Sequence, residues 1–413
     1  MTRPNILFLL IDCLRADAII GQRRGAHTPT LDRLVRSGFA FTQAVASASS
    51  TTPCVASLLT GVYSFVHGIR SIFGLKLDPS VHSLVEIFPE HGYHTYAEVS
   101  GPLFPETALD RGFDLYQFRE AAAYLSSSWG TDLRQRLRGG AFKPPWFLFL
   151  HLWELHHHRH ILPAFHSRKY GRNRYERALS SLDSELATLI EALPQDTIVV
   201  LHGDHGERVV KTDAQYRLYR FIRDVLGRKT RKREGHEMDV YEELIRVPLV
   251  FTPLSDIEGL PLRPGGRDPQ LVRQIDALAT LLDLIGAPLP VNIHGQSLKT
   301  VFLYGEQLQL EAYLEAFLRI RSDPRDRRVG WRTEEWKYIY APQNANLPEE
   351  LYFLPDDPQE RNNLAMRRPD RALTLRNRIE TLQRGAVTPN PGTVMSDEEK
   401  AAIEKRLTDL GYM

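Results

Sequence analysis

NILFLLI, residues 5–11, is a nearly unbroken apolar run closed by Asp12 and Cys13. A strand with one wet face would alternate apolar and polar residues; an unbroken run predicts a strand buried on both faces, as in a parallel sheet. The same character recurs in WFLFLHL (146–152), TIVVLH (197–202) and VPLVF (247–251). Helical patterns lie between these runs, in TLDRLVRS (30–37), in residues 81–88 and in YERALSSLDSELATLIEA (175–192). Strands alternating with helices predict an α/β fold, a doubly wound and mostly parallel sheet flanked by helices. In such sheets ligands bind beyond the carboxyl ends of the strands, so the residues after each apolar run matter most.

Those residues are rich in metal-ligand chemistry. The first run ends in Asp12, the second in His151, Glu154, His156, His157 and His158, and the third in Asp204, His205 and Glu207. One strand-end Asp is ordinarily a helix cap or a turn residue. Three strand ends carrying carboxylates and imidazoles predict a shared site. The segment SASSTTPCVASLLTG (47–61) is hydroxyl-rich and then apolar and helix-like. Ser50, Thr51 and Thr52 could cap that helix, or one of them could meet a metal and an anionic ester at its positive end.

The 413 residues, 42% hydrophobic and 25% charged, exclude a disordered or collagenous chain. Lys plus Arg (52) against Asp plus Glu (51) leaves a net charge of +1, which argues against a nucleic-acid partner. Two cysteines, Cys13 and Cys54, make no disulfide framework. No apolar run reaches the roughly 20 residues of a membrane span, and the N-terminal run is too short for a secretory leader; the expectation is a cytoplasmic protein. After residue 318 the pattern changes. Residues 328–340 alternate like an antiparallel pair, ELYFL (350–354) offers another strand, and helices are expected over 369–383 and after Ser396. The expected division is a catalytic domain over 1–318 and a small α+β subdomain with a terminal helix over 319–413.

Taken in order, PNILFLLIDCLRAD (4–17), HTPTLDRLVRSGFAFTQAVA (27–46), TTPCVASLLTG (51–61), WFLFLHLWELH (146–156), VVLHGDHGE (199–207), GHEMDVYEELIRVPLVF (235–251), GWRTEEWKYIY (330–340) and ELYFLPDDPQERNNLA (350–365) resemble the sulfatase-like branch of the alkaline phosphatase superfamily. The resemblance implies the alkaline phosphatase-like fold and makes Asp12, Asp204 and His205 metal ligands. Family sulfatases oxidise the first residue of a C/S-x-P-x-R signature to formylglycine. Alignment on Pro53 puts Thr51 in that slot and Val55 where the Arg would be, and a threonine cannot form the formylglycine aldehyde. A Thr at this position resembles the phosphodiesterase, phosphomutase and phosphoglycerol-transferase members. The resulting expectation is a metal-dependent hydrolase or transferase acting on a phosphoester, of phosphodiester or phosphonate type, through Thr51 activated by metal coordination. Two alternatives stand beside it: a sulfuric ester hydrolase working without formylglycine, and a non-catalytic protein that binds a metal and an anion.

Imidazole in the ligand shell points to Mn²⁺ or Zn²⁺ over Ca²⁺ or Mg²⁺, with one ion favoured over two. Glu154 and His158 are the candidates for a second ion. Cys13 could serve as a thiolate ligand, but strand alternation turns neighbouring residues to opposite faces, which favours a structural thiol. By resemblance His156 contacts the reacting anion and His236 stabilises it and protonates the leaving oxygen. The insertion over 208–235 ends in a basic run whose Arg231, Lys232 and Arg233 could attract an anionic substrate such as a phosphorylated or sulfated sugar or a lipid headgroup.

Overall fold

The computed structural model describes residues 3–21, 25–156, 159–209, 235–236, 238–260, 262, 264–316, 324–384 and 393–409. Among these, eight strands form one sheet: β1 (Asn5–Ile11), β2 (Phe39–Val45), β3 (His94–Val99), β4 (Leu115–Phe118), β5 (Trp146–Leu152), β6 (Thr197–Gly203), β7 (Arg246–Pro253) and β8 (Arg267–Arg273). Their order is β4-β3-β5-β1-β6-β7-β2-β8. β1 lies in the middle, parallel to β5 on one side and β6 on the other. Only β7 runs against its neighbours, β6 and β2.

The NILFLLI run explains this placement. Ile6, Phe8 and Leu10 enter one apolar core and Leu7, Leu9 and Ile11 another, so both faces of the strand are covered. Phe8 stacks on Phe149 of β5 with ring centroids 5.6 Å apart. Each such side chain, fully buried, contributes about 1.5–3 kcal/mol. The helix Arg174–Ile190, capped by the Asn173 side chain on the Glu176 amide, covers the second face with Leu179, Leu182, Leu186 and Leu189.

A second sheet of four antiparallel strands follows, β9 (Ala312–Glu315), β10 (Val329–Arg332), β11 (Trp336–Tyr340) and β12 (Glu350–Phe353), in the order β12-β11-β10-β9. One of these strands, β9, comes before residue 319. The helix Pro369–Arg384 packs Ala372, Leu375 and Ile379 against Tyr313, Tyr338 and Leu351 of this sheet. The helix Asp397–Asp409 returns to the main domain, where Ile403 and Leu407 join Phe104 and Trp153. Among the described residues no helix is long and apolar enough to cross a membrane.

Candidate active site and metal centre

Parallel pairing of β1, β5 and β6 brings their carboxyl ends together. In register, Ile11 faces Leu152 on one side and Gly203 on the other, so Asp12 and Asp204 leave adjacent strands at the same level. The backbone amide of Asp12 is held by the Leu152 carbonyl at 2.9 Å. Asp12, Asp204 and His205 are all fully buried, and one donor atom from each lies within 4.8 Å of the others.

Thr51 is the first residue of the helix Thr51–Thr60, every residue of which is buried. Its Oγ1 donates to Asp12 Oδ2 at 3.0 Å and lies 3.3 Å from His205 Nε2. The competing cap role is not taken, because Ser50 makes no cap hydrogen bond. Thr52 donates to the Pro102 carbonyl at 2.9 Å. Val55 sits in the main core, where it packs and carries no charge.

The proton positions follow from the partners. His205 Nδ1 is 2.8 Å from the Gly206 carbonyl, which can only accept, so Nδ1 carries the hydrogen and Nε2 presents a lone pair. That lone pair faces Asp204 Oδ2 at 3.3 Å. Asp204 Oδ1 is committed to the amides of Cys13 (3.0 Å) and His205 (2.7 Å). Asp12 Oδ1 and Asp204 Oδ2 have no hydrogen-bond partner among the described residues. Two orphaned carboxylate oxygens and an imidazole lone pair, all buried, repel one another unless a cation lies between them. The donors therefore fit a divalent metal ion.

The electrostatics agree. Burial and the neighbouring charge of Asp12 push the Asp204 carboxyl up to about 6. For Asp12 burial works the same way, but His151, His156 and His205 overcome it and hold the carboxyl far below the usual range. Burial pushes the His156 imidazole down to about 3, so the ring is neutral. It stacks on Trp153 with centroids 3.9 Å apart and meets the His236 ring edge-on at 5.4 Å.

Two strand-end residues to which the sequence assigned no role belong beside it. His151 Nε2 lies 3.6 Å from Asp12 Oδ2, and its Nδ1 is held by the Ser100 carbonyl at 3.1 Å. Glu207 is buried, and its Oε2 lies 3.2 Å from His236 Nδ1. Burial would raise the Glu207 carboxyl, but His236 brings it down to about 2. Arg15, paired with Asp17 at 2.7 Å, donates to the Glu207 carbonyl at 2.7 Å and so steadies this strand end. Position in HGDHGE was the available signal for Glu207.

Cys13 departs from the strand-alternation reading. It lies past the end of β1 with φ +58°, a left-handed conformation in which alternation no longer applies. Its Sγ turns into the site, 3.4 Å from Glu207 Oε2 and 3.8 Å from His236 Nδ1. Burial first, then the charges of Asp12, Glu207 and Asp204, push its thiol well up. Glu154 turns elsewhere: Oε1 accepts the Leu125 amide at 2.7 Å, and it belongs to neither of the clustered donor groups found among the described residues. His158, Arg231, Lys232 and Arg233 lie outside the described residues.

His236 also borders a cavity of about 830 Å³ between the two sheets. Arg208, Asp239 and Tyr241 line it from the main domain, Arg328 and Glu350 from the second sheet. Arg328 is neutralised by Glu350 at 2.5 Å and Asp239 at 3.4 Å, so the wall offers paired donors and acceptors and no concentrated positive charge.

Comparison with known proteins follows the same outline. The Sulfatase family matches residues 4–287, and the family described as N-sulphoglucosamine sulphohydrolase, C-terminal, matches residues 237–384. Arylsulfatase K of Homo sapiens is 26% identical over 220 residues, which is 50% of this chain and 36% of that protein. The match thus spans about a third of the length of these curated relatives. The Ulvan-active sulfatase of Formosa agariphila is 23% identical over 470 residues, covering 99% of this chain and 82% of that one. Among solved structures, the phosphonate monoester hydrolase of Agrobacterium radiobacter superposes with a TM-score of 0.71 at 18% identity, covering 93% of this chain and 96% of the other. At that identity the likeness speaks for the fold alone.

Proposed function

This chain belongs to the sulfatase family, and on that premise we propose that it is a metal-dependent ester hydrolase or transferase that attacks a phosphoester, of phosphodiester or phosphonate type, with Thr51. The observation that carries this reading is Thr51 Oγ1 poised between Asp12 Oδ2 (3.0 Å) and His205 Nε2 (3.3 Å) at a helix N-terminus. A divalent ion held by Asp12, Asp204 and His205, with Thr51 Oγ1 as a further donor, supplies the charge that makes this hydroxyl a nucleophile near neutral pH.

The residues do the rest. The Thr51 proton, already shared with Asp12 Oδ2, passes to that carboxylate oxygen as the Oγ1–phosphorus bond forms. The phosphorus–oxygen bond to the leaving group breaks opposite it, and His236 returns a proton to that oxygen. His156, neutral and fixed against Trp153, orients the anion by hydrogen bonding without adding charge. Water or an acceptor alcohol then resolves the phosphothreonine. The cavity beside His236, with its paired charges and Tyr241, suits the polar, uncharged part of a sugar-like substrate.

A sulfuric ester is the second reading, favoured by the names of the relatives, arylsulfatase K and an ulvan-active sulfatase. Nitrophenyl sulfate, phosphate, phosphodiester and phosphonate monoester, each offered to metal-stripped protein refilled with Mn²⁺, Zn²⁺ or Ca²⁺, separate the two. Phosphodiester or phosphonate turnover lost in Thr51→Ala supports the first reading. Sulfate turnover that survives Thr51→Ala overturns it. Failure of all four substrates at every metal favours the non-catalytic binding role.

A further inference from the structure

We propose that Cys13, Glu207 and His236 form a second cation site, beside the Asp12–Asp204 centre, that takes a thiophilic divalent ion such as Zn²⁺. The three donors already stand as the face of a tetrahedron. Cys13 Sγ is 3.4 Å from Glu207 Oε2 and 3.8 Å from His236 Nδ1, and those last two atoms are 3.2 Å apart. Around a tetrahedral zinc, metal–ligand lengths of about 2.0–2.3 Å put donors roughly 3.4–3.6 Å apart. Each observed separation lies close to that, so an ion enters with little movement of the side chains.

Two further observations point the same way. Cys13 reaches this position only through its left-handed backbone, φ +58°, which turns Sγ off the strand and toward Glu207. Glu207 Oε1 is buried without a hydrogen-bond partner among the described residues, so the carboxylate keeps spare acceptor capacity inside the site.

The two sites are neighbours, with donor atoms of Cys13, His205 and His236 all within 4.8 Å of one another. His205 has one lone pair to give, on Nε2, because its Nδ1 hydrogen is used by the Gly206 carbonyl. Facing Asp204 and Thr51 at 3.3 Å, that lone pair belongs to the first site. The second site rests on its own three donors and leaves a fourth position open. On coordination the thiol proton passes to solvent. With Nδ1 committed to the ion, the remaining hydrogen of His236 sits on Nε2, so with this second ion bound His236 would hydrogen-bond the leaving oxygen rather than hand it a proton.

Cobalt added stepwise to the metal-stripped protein tests this without substrate. A cobalt–thiolate bond gives an intense near-ultraviolet charge-transfer band, and carboxylate and imidazole ligands do not. The expected result is two bound equivalents, one of them carrying the band. Cys13→Ser, a near-isosteric change, loses the band and one equivalent, and His236→Asn weakens the band-carrying equivalent by tenfold or more. Cys54→Ser keeps both, since Cys54 Sγ is engaged with the Ala48 carbonyl at 3.2 Å. No band in the wild type, or a band that survives Cys13→Ser, overturns the proposal. A single equivalent that carries the band makes Cys13 a ligand of the first ion and overturns the separate site.

Discussion

Thr51 Oγ1 donates to Asp12 Oδ2 at 3.0 Å, joining the first residue of a buried helix to the end of the central strand. A hydroxyl that only capped its helix would point back at its own amides. Thr51→Ala is expected to lower kcat on the order of 10³-fold or more, and Thr51→Ser to keep a substantial part of it. Metal content, measured on the same samples, separates a lost nucleophile from a lost ion. Alanine activity equal to the wild type's at equal metal content would sink the assignment.

Asp204 and Asp12 confront one another as buried carboxylates, so the metal-free protein carries a repulsion that the ion removes. Metal at about 1,000 times its Kd adds about 4 kcal/mol to stability. A chelator is therefore expected to lower the wild-type Tm by several degrees. Asp204→Asn keeps an oxygen for the Cys13 and His205 amides, loses most of the chelator response, and is more stable than wild type when both are metal-free. Thermal scans with and without chelator check this, and an unchanged chelator response in the variant counts against Asp204 as a ligand.

The four apolar runs and the strand-end carboxylates were legible in the sequence because a central parallel strand must be apolar on both faces. β2, β3, β4 and β8 carry no such run. Each mixes polar residues into its segment, Thr42 and Gln43 in β2 for instance, and is fixed by its pairing in the sheet. Glu207 was visible in HGDHGE but gained a role only when His236 was seen at its side. Cys13 misled because strand alternation was extended one residue too far, across a backbone turn that no periodicity reveals.

His67 is fully buried between Ser57, whose Oγ is 3.0 Å from Nε2, and the Ile69 amide, which donates to Nδ1 at 3.1 Å. Burial, aided by the nearby Arg70 and His294 and opposed by Glu315, brings its imidazole down to about 3. The unfolded chain, with an ordinary histidine near 6.5, then binds the proton that the folded chain refuses. Its stability is thus full above about pH 6.5 and falls as pH drops toward 3. Between pH 7 and 5 the His67 contribution amounts to about 2 kcal/mol. Urea unfolding at both pH values is expected to show that much less pH dependence in His67→Gln than in the wild type. Equal slopes would mean that His67 is protonated in the fold.

Lys337 of β11 is completely buried, with Nζ 2.7 Å from Glu360 Oε1 and 3.3 Å from Glu242 Oε1. Glu242 follows the segment that carries His236, and its amide donates to Glu360 Oε2 at 2.7 Å, so this cluster ties the second sheet to the active-site wall. Removing the lysine leaves Glu360 without its cation in a buried site, while Glu242 keeps Arg332 at 3.1 Å. Lys337→Met is expected to cost about 3–5 kcal/mol in urea unfolding. Glu360→Gln is expected to be much milder, because burial and the charge of Glu242 outweigh Lys337 and raise the Glu360 carboxyl, so the neutral amide gives up little. Adding Glu360→Gln to Lys337→Met removes the carboxylate left without a cation and recovers part of the loss. A double variant no more stable than Lys337→Met alone would show that the lysine acts through packing and not through its charge.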